Sequence, residues 1–200
     1  MKILLTLLIA ALPVAVAAQQ ELGPDELVRK VTSEVLDAIQ RDKQLQAGDR
    51  KKALALAEEK ILPLVDFREA ARLAVGRPWN TATPEQQERI TREFRTLLVR
   101  IYSNAIGVYR GQTMRVQPAK MAPGATQVTV RNQYLSPGRP PTSVEYAMHK
   151  TPEGWKIYDI TVEGVSLVLT YRGEFEQVVR QGGIESLIQR LAERNREPVR

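Results

Sequence analysis

The amino-acid sequence of 200 residues predicts an α+β fold in a single domain. Apolar residues repeat with helical spacing through the first half, with a period of two through most of the second half, and with helical spacing again near the end. Short turn sequences separate the period-two segments, which favours antiparallel pairing. We therefore expect four to five strands in an antiparallel sheet, with helices before and after it that cover its apolar side.

The first residues differ in character from the rest of the chain. Lys2 is followed by an apolar run from Ile3 to Leu12, and Ala15 and Ala17 have the small-x-small spacing that signal peptidase recognises. The run is too short to span a bilayer, and a retained membrane anchor is the alternative interpretation. We expect residues 1–18 to be a cleaved secretory signal and residues 19–200 to form one exported domain.

Composition narrows the classes of function. The sequence contains no cysteine, which excludes disulfides, thiolate metal sites, cysteine nucleophiles and acylation on cysteine. The net charge is +6, but arginines alternate with glutamates in segments such as 85–100, as is typical of a solvated helix face. Because an exported protein seldom meets nucleic acid, we expect a membrane surface or an acidic protein as the partner of this basic surface.

Local signals define the helices of the first half. The sequence predicts a first helix from Pro24, a second from Asp49 to Leu62, and a third that begins at Asp66 and ends near Gly76. The apolar residues that repeat along the first helix are Leu27, Val28, Val31, Val35, Leu36 and Ile39.

A fourth helix has the strongest start signal. Thr83 is the predicted N-cap, Pro84 occupies the first helical position and Gln86 completes a capping box. At 1.5 Å per residue the helix would be about 39 Å long, enough to lie across a whole sheet. Its apolar stripe consists of Ile90, Phe94, Leu97, Leu98, Ile101, Tyr102, Ala105, Ile106 and Tyr109.

Alternation then places apolar residues on one face of each predicted strand. Turn sequences at 136–141 and 151–154 separate the strands. The residues predicted on the apolar face are Met114, Val116, Val128, Val130, Asn132, Tyr134, Val144, Tyr146, Met148, Trp155, Ile157 and Asp159, with Lys156, Tyr158 and Ile160 on the other face of the last strand.

Helical spacing returns after Gly164. Ser166 is the predicted N-cap, and Gly182 and Gly183 are expected to end this helix before a last short one over 184–194.

Candidate catalytic chemistry is sparse. His149 is the only histidine and lies on a predicted strand, and Ser166 lacks the glycine-flanked elbow of a nucleophile. No cluster of histidines or carboxylates has metal-ligand spacing, and no glycine-rich phosphate loop is present. The apolar stripes fit either a filled core or a hollow one, because both require the same residue types.

Several motifs together resemble a known family. They are "ILPLVDFREAARLAVGRPWNTATPEQQERITREFRTLLVRIY" from residue 61, "GRPP" from 138, "WKIYDITVEGVSLVLTYRGEF" from 155 and "GGIESLIQRL" from 182. They are similar, in order and over about residues 25–194, to the MlaC-type proteins, also known as toluene-tolerance auxiliary proteins. These are periplasmic phospholipid shuttles of the maintenance-of-lipid-asymmetry pathway.

The resemblance implies a curved antiparallel sheet similar to nuclear-transport-factor-like folds, with an added helical part. It implies an apolar cavity for phospholipid tails, with the head group near solvent. It also implies two docking partners: an outer-membrane lipoprotein in complex with a porin, and an inner-membrane ABC transporter with a mammalian-cell-entry ring. We accordingly expect a periplasmic monomer that is not an enzyme and needs no metal or cofactor.

The expected lipid contacts lie on both halves of the chain. In the family the valine of "EGVS" lines the cavity, and Val165 holds the matching position. We hypothesise that Gly164 lets the strand leave the sheet, so that Val165 and Leu167 turn into the mouth or wall of the cavity. The candidate wall residues are Leu73, Phe94, Leu97, Ile101, Val128, Val130, Val144, Tyr146, Met148, Ile160, Val165, Leu167 and Leu169.

Two alternatives come from other functional classes. Similar cone-shaped folds include enzymes acting on small apolar substrates, for which Asp159 and His149 are the nearest acid or base candidates. A scaffold protein with a dry core is the third interpretation.

Overall fold

A computed structural model of the protein describes residues 22–102 and 111–197. The predicted signal over 1–18 and the last part of the fourth apolar stripe, Ala105, Ile106 and Tyr109, lie outside the described residues. Within them, helices, an antiparallel sheet and a final helix follow one another as predicted, so the α+β class is confirmed. None of the described helices combines the length and the apolar character needed to cross a membrane.

The helices of the described residues are mostly in the first half. The α-helices are α1 (Pro24–Arg41), α2 (Lys43–Gln46), α3 (Arg50–Lys60), α4 (Phe67–Val75), α5 (Pro84–Tyr102) and α6 (Arg172–Arg196). Short 3-10 helices span Leu62–Leu64, Arg77–Thr81 and Leu169–Tyr171.

Side-chain caps fix the helix starts that the sequence predicted. Asp66 Oδ1 accepts a hydrogen bond of 2.9 Å from the Glu69 amide at the start of α4. Thr83 and Gln86 form a reciprocal capping box at α5, with distances of 3.1 and 3.2 Å. These bonds satisfy amides that have no partner inside the helix, which is why the local sequence is enough to set both boundaries.

The strands form one five-stranded sheet in the order β1-β2-β3-β4-β5, each antiparallel to its neighbour. They are β1 (Thr113–Val116), β2 (Gln127–Leu135), β3 (Thr142–Thr151), β4 (Gly154–Val162) and β5 (Val165–Ser166).

One face of this sheet, the inner face, carries the apolar alternation. The register places on it Met114, Val116, Val128, Val130, Asn132, Tyr134, Val144, Tyr146, Met148, Trp155, Ile157, Ile160, Val162 and Val165. Helix α1 packs against this face through Val28. On the opposite face, His149 hydrogen-bonds to Asp66, the N-cap of α4. Helices and their caps therefore contact both faces of the sheet, whereas the sequence predicted that helices cover one face.

A β-bulge in β4 places the residues that follow it on the faces opposite to those predicted. Met148 pairs with Ile157 and Ala147 pairs with Asp159, which leaves Tyr158 without a partner. The extra residue reverses the alternation beyond it. Ile160 therefore joins Ile157 on the inner face, and Asp159 lies on the opposite face, whereas the sequence had placed Asp159 with Ile157 and Ile160 across from it.

The connection after β4 also differs from the prediction. Glu163 and Gly164 have φ values of 49° and 81° and form a two-residue turn between Val162 and Val165. Two successive positive φ values are typical of a type I′ hairpin turn, which returns the chain antiparallel to itself. Gly164 thus keeps the chain in the sheet for β5 instead of releasing it.

The chain after β5 forms helix later than predicted. Ser166 belongs to β5, and its Oγ accepts a bond of 2.9 Å from the Leu169 amide, so it caps the 3-10 turn rather than a long helix. The helix α6 runs past Gly182, and Gly183, with φ of 75°, interrupts its helical geometry where the sequence predicted an end.

Two principal apolar clusters stabilise the fold. The sheet cluster consists of Val28, Val116, Val128, Val130, Met148, Trp155 and Ile157. The helical cluster consists of Ala70, Ala71, Ala74, Val75, Trp79, Ile90, Phe94, Leu97, Val168, Tyr171, Phe175, Leu187, Ile188 and Leu191. A smaller cluster joins α1, α2 and α3 through Ile39, Leu45, Ala53 and Leu56.

Helix α5, which the sequence predicts to be long enough to lie across the sheet, packs on other helices over its described part. Its buried residues Ile90, Phe94 and Leu97 all belong to the helical cluster. Arg89 donates two hydrogen bonds of 2.9 and 2.7 Å to the carboxylate of Glu185 on α6. The described part of α5 is therefore an element of a three-helix layer with α4 and α6.

Candidate functional site

The sheet cluster and the helical cluster do not merge into one core. Leu73, Leu98 and Ile101 are only partly buried at the margin of the helical cluster. Tyr146 and Ile160 are partly buried at the margin of the sheet cluster. Partly exposed apolar side chains at the margins of two separate clusters are surfaces that an apolar ligand could cover.

The structure divides the predicted wall residues between these two clusters. Leu73, Phe94, Leu97 and Ile101 belong to the helical cluster or its margin, and Val128, Val130, Tyr146, Met148 and Ile160 belong to the sheet cluster or its margin. Val144 is buried on the same inner face. Val165 and Leu169 are 58% and 44% exposed, and Leu167 between them is half-buried.

The candidates differ in how much of each side chain is accessible to a ligand. Phe94 is fully buried between the rings of Tyr171 and Phe175, with centroid distances of 5.2 and 5.4 Å. Val165 follows the Glu163–Gly164 turn at the free edge of the inner face and packs little of its surface. Direct contact with a ligand is consequently easier for Val165 than for Phe94.

Two open grooves of about 470 Å³ each border the two clusters, one at Val128 of the sheet cluster and one at Val178 beside the helical cluster. One is lined by Gln117, Pro118, Lys120, Gln127, Val128, Thr129, Arg131 and Tyr158, and the other by Glu174, Gln177, Val178, Gln181, Ser186, Gln189, Arg190 and Glu193. Both linings are mainly polar, which suits water and ions better than acyl chains.

Asp159 is a buried carboxylate with a structural set of partners. Its oxygens accept bonds of 2.5 Å from Ser166 Oγ and 3.2 Å from the Val168 amide. It is only 9% exposed. The carboxylate thereby ties the chain after β5 to the sheet.

We expect Asp159→Ala to lower the free energy of unfolding by roughly 2 kcal/mol, because it leaves the buried Val168 amide without an acceptor. Ser166→Ala removes one of the bonds to Asp159 and the bond from the exposed Leu169 amide, leaves the Val168 amide paired, and should cost about 1 kcal/mol. Denaturant unfolding of both variants measures the difference. An Asp159→Ala protein as stable as the wild type would contradict the structural role.

His149 is likewise held in a structural contact. Its Nε2 lies 3.0 Å from Asp66 Oδ2, while the other oxygen of Asp66 caps α4. Its ring meets the ring of Tyr158 edge-on at a centroid distance of 5.2 Å. The two acid or base candidates of the enzyme alternative therefore each bind other parts of the fold. Among residues 22–102 and 111–197 no group of three or more histidines and carboxylates could hold a metal ion.

Two polar residues of the inner face, Asn132 and Tyr134, were not among the site candidates from the sequence, whereas their neighbour Tyr146 was. The hydroxyls of Tyr134 and Tyr146 are 3.0 Å apart, and Asn132 is buried beside them. Burial raises the pKa of Tyr146 well above its usual value, and the neighbouring Tyr134 raises it further. The signal available in the sequence was an asparagine within an otherwise apolar face.

Comparison with known proteins gives concordant matches. The model of the MlaC protein family matches residues 29–193. The toluene tolerance protein ttg2D of Pseudomonas putida is 28% identical over 186 residues, covering 90% of this chain and 82% of the relative. The intermembrane phospholipid transport system binding protein MlaC of Haemophilus influenzae is 22% identical over 199 residues, covering 98% of this chain and 93% of the relative.

A solved structure matches the fold as well. It is the phospholipid-binding protein of Ralstonia solanacearum in complex with a phospholipid, with a TM-score of 0.76 and 38% sequence identity. The match covers 84% of this chain and 94% of the other.

Proposed function

The chain belongs to the MlaC protein family, and from that premise we propose that it is a phospholipid carrier and not an enzyme. The observation that carries the proposal is the likeness, at 38% identity, to a protein whose structure contains a phospholipid. The partly exposed apolar residues at the margins of the two clusters support it, because acyl chains can cover such surfaces.

Elementary energetics favours a carrier of this design. Each methylene group removed from water contributes about 0.8 kcal/mol, so two chains of about 16 carbons represent roughly 25 kcal/mol of hydrophobic free energy. A phospholipid therefore does not cross an aqueous compartment unaided. An apolar site that resembles the bilayer interior shields the tails and still permits release into a membrane.

We further propose that the site of action is the periplasm and that the protein moves lipid between membranes to maintain outer-membrane asymmetry. The name of the Haemophilus influenzae relative, which refers to intermembrane phospholipid transport, supports this role. The partners proposed are an outer-membrane lipoprotein–porin complex and an inner-membrane ABC transporter with a mammalian-cell-entry ring. The net charge of +6 would increase the encounter rate with anionic head groups or an acidic docking ring.

We propose that the thirteen candidate wall residues build the lipid site, the accessible ones by contact and the buried ones by supporting it. The exposed members, Val165 and Leu169, suit the mouth of the site, and the margin residues Tyr146, Ile160 and Ile101 suit its wall. Fully buried members such as Phe94 act indirectly, by holding the helical layer in place.

The proposal is tested by comparing the mass of the purified mature protein under native and denaturing conditions, with extraction of whatever leaves on denaturation. We expect a stoichiometric phospholipid. A compact protein with a bare mass that also fails to load from phospholipid vesicles would overturn the proposal in favour of a dry core.

A further inference from the structure

The inner face of the sheet contains an unsatisfied polar group. Asn132 on β2 is 1% exposed, and its Nδ2 donates to the carbonyls of Val130 and Val144 at 3.2 and 3.3 Å. Its Oδ1 has no hydrogen-bond partner within the described part of the chain. A buried acceptor left without a donor is costly to the folded state, so a native structure that retains one needs a reason.

Two tyrosines lie across the same position. Tyr134 is paired with Thr142, and Tyr146 with Val130, on either side of the Asn132–Val144 pair. Their hydroxyls nevertheless lie 3.0 Å apart, so the two side chains lean toward each other over that pair. One hydroxyl donates to the other, and the second keeps a hydrogen to donate elsewhere.

The resulting patch of Asn132, Tyr134 and Tyr146, which we name the polar patch, offers the unpaired acceptor Asn132 Oδ1 and one hydroxyl hydrogen that the tyrosine pair does not use. Its neighbours on the inner face, Val130 and Val144, are buried and apolar. A charged ligand group would lose its hydration there without a counter-charge beside it, which disfavours phosphate and ammonium. The complementary group is neutral and both donates and accepts a hydrogen bond, as a hydroxyl does.

The polar patch is in line with the accessible edge of the inner face. Asn132 pairs with Val144, Val144 with Val162, and Val162 with the exposed Val165. Strands are about 4.8 Å apart, so this row extends roughly 14 Å from the exposed edge to Asn132. A lipid that enters along the row would bring a part of its own structure over the polar patch.

We infer that the polar patch binds an uncharged hydroxyl of a lipid, so that the protein selects hydroxyl-bearing lipids over those without one; this rests on the proposed carrier function. Such a hydroxyl occurs on the glycerol of a monoacyl phospholipid or along a hydroxylated acyl chain. Both present the same chemistry to Asn132 Oδ1 and the free tyrosine hydrogen.

The experiment loads the full mature protein, by native mass spectrometry, from vesicles that contain three phosphatidylethanolamines in equal amounts. One is an ordinary diacyl lipid, the second is monoacyl with a free glycerol hydroxyl, and the third is diacyl with one hydroxylated chain. We expect a preference of about five- to tenfold for one of the two hydroxyl lipids, the size that one or two additional buried hydrogen bonds give. Whichever is preferred identifies the source of the hydroxyl.

Substitutions inside and outside the polar patch test whether the preference for a hydroxyl lipid depends on it. Asn132→Leu, close to isosteric, should remove the preference while diacyl loading persists. The double change Tyr134→Phe with Tyr146→Phe should also remove it, measured as the ratio of bound hydroxyl lipid to bound diacyl lipid. Thr142→Val deletes a hydroxyl on the same face outside the polar patch and should leave the preference intact. The tyrosine variants retain every apolar contact and decide the matter if Asn132→Leu does not fold.

The outcomes separate this inference from the carrier function. A wild-type protein that loads diacyl lipid and shows no preference would overturn the inference, with water as the ligand of Asn132, and leave the carrier function standing. A preference that survives in both variants would overturn it too. Failure to load any of the three lipids would overturn both.

Discussion

Replacement of Phe94 by alanine should lower the free energy of unfolding by about 3–5 kcal/mol, the range measured for large aromatic truncations in cores. Phe94 has no exposed surface and meets both Tyr171 and Phe175 edge-on, so the truncation removes two aromatic contacts and opens a cavity. A loss of this size is a large fraction of the stability of a typical domain. Denaturant unfolding followed by circular dichroism measures it.

Leu169→Ala is the matched control, since Leu169 lies in the 3-10 helix that carries Tyr171 but is 44% exposed. We expect it to cost less than about 1 kcal/mol. A Phe94→Ala protein within about 1 kcal/mol of the wild type would instead mean that the ring borders open space and contacts the ligand directly.

Val165→Glu should abolish lipid loading while the protein stays folded. At 58% exposure Val165 contributes little to packing, so the unfolding midpoint should change by less than a few degrees. A carboxylate at the mouth of an apolar site must give up hydration when acyl chains cover it, and the expected result is at least a tenfold loss of bound phospholipid. Native mass spectrometry of protein purified from identical cells measures the lipid-bound fraction.

Val165→Leu preserves the apolar surface and should retain normal loading. A folded Val165→Glu protein that copurifies with the usual amount of lipid would remove Val165 from the site and weaken the assignment of the edge after Gly164 as its mouth.

Features set by local chemistry were predictable from the sequence. The starts of α4 and α5 follow from Asp66 and from Thr83 with Gln86, because each cap acts within three residues of itself. The faces of β2 and β3 follow from the alternation of apolar residues, because successive side chains of a regular strand point to opposite faces of the sheet.

Features that depend on distant partners were not predictable. The bulge at Tyr158 changes the face of every later residue of β4, and no residue type in this segment predicts it. Glu163 takes a positive φ at a position where the sequence offers no glycine or asparagine, and its backbone amide bonds to Ser143 on β3. That pairing is a tertiary contact, visible only once the strands are in register.

In the candidate site, too, local sequence patterns were predictable and contacts between distant residues were not. Alternation and helical spacing predicted one apolar set on the sheet and one on the helices, and the structure has both, except that the bulge exchanges the faces of Asp159 and Ile160. The spacing could not tell that α5 turns its stripe toward α6, because Phe94 and Leu97 would look the same facing either partner. Asn132 was placed on the right face, yet its unpaired oxygen becomes apparent only when its neighbours are known.

The order in which the helices are synthesised determines when the helical cluster can form. Arg89 and Glu185, which join α5 to α6, are 96 positions apart in sequence, with the whole sheet between them. Neighbouring strands can pair through short hairpins, whereas α4 and α5 have no α6 to cover them until the last residues are made. The stripe of Ile90, Phe94 and Leu97 thus stays exposed on a nascent or translocating chain until α6 is made, and it is a surface that a holding chaperone would have to shield.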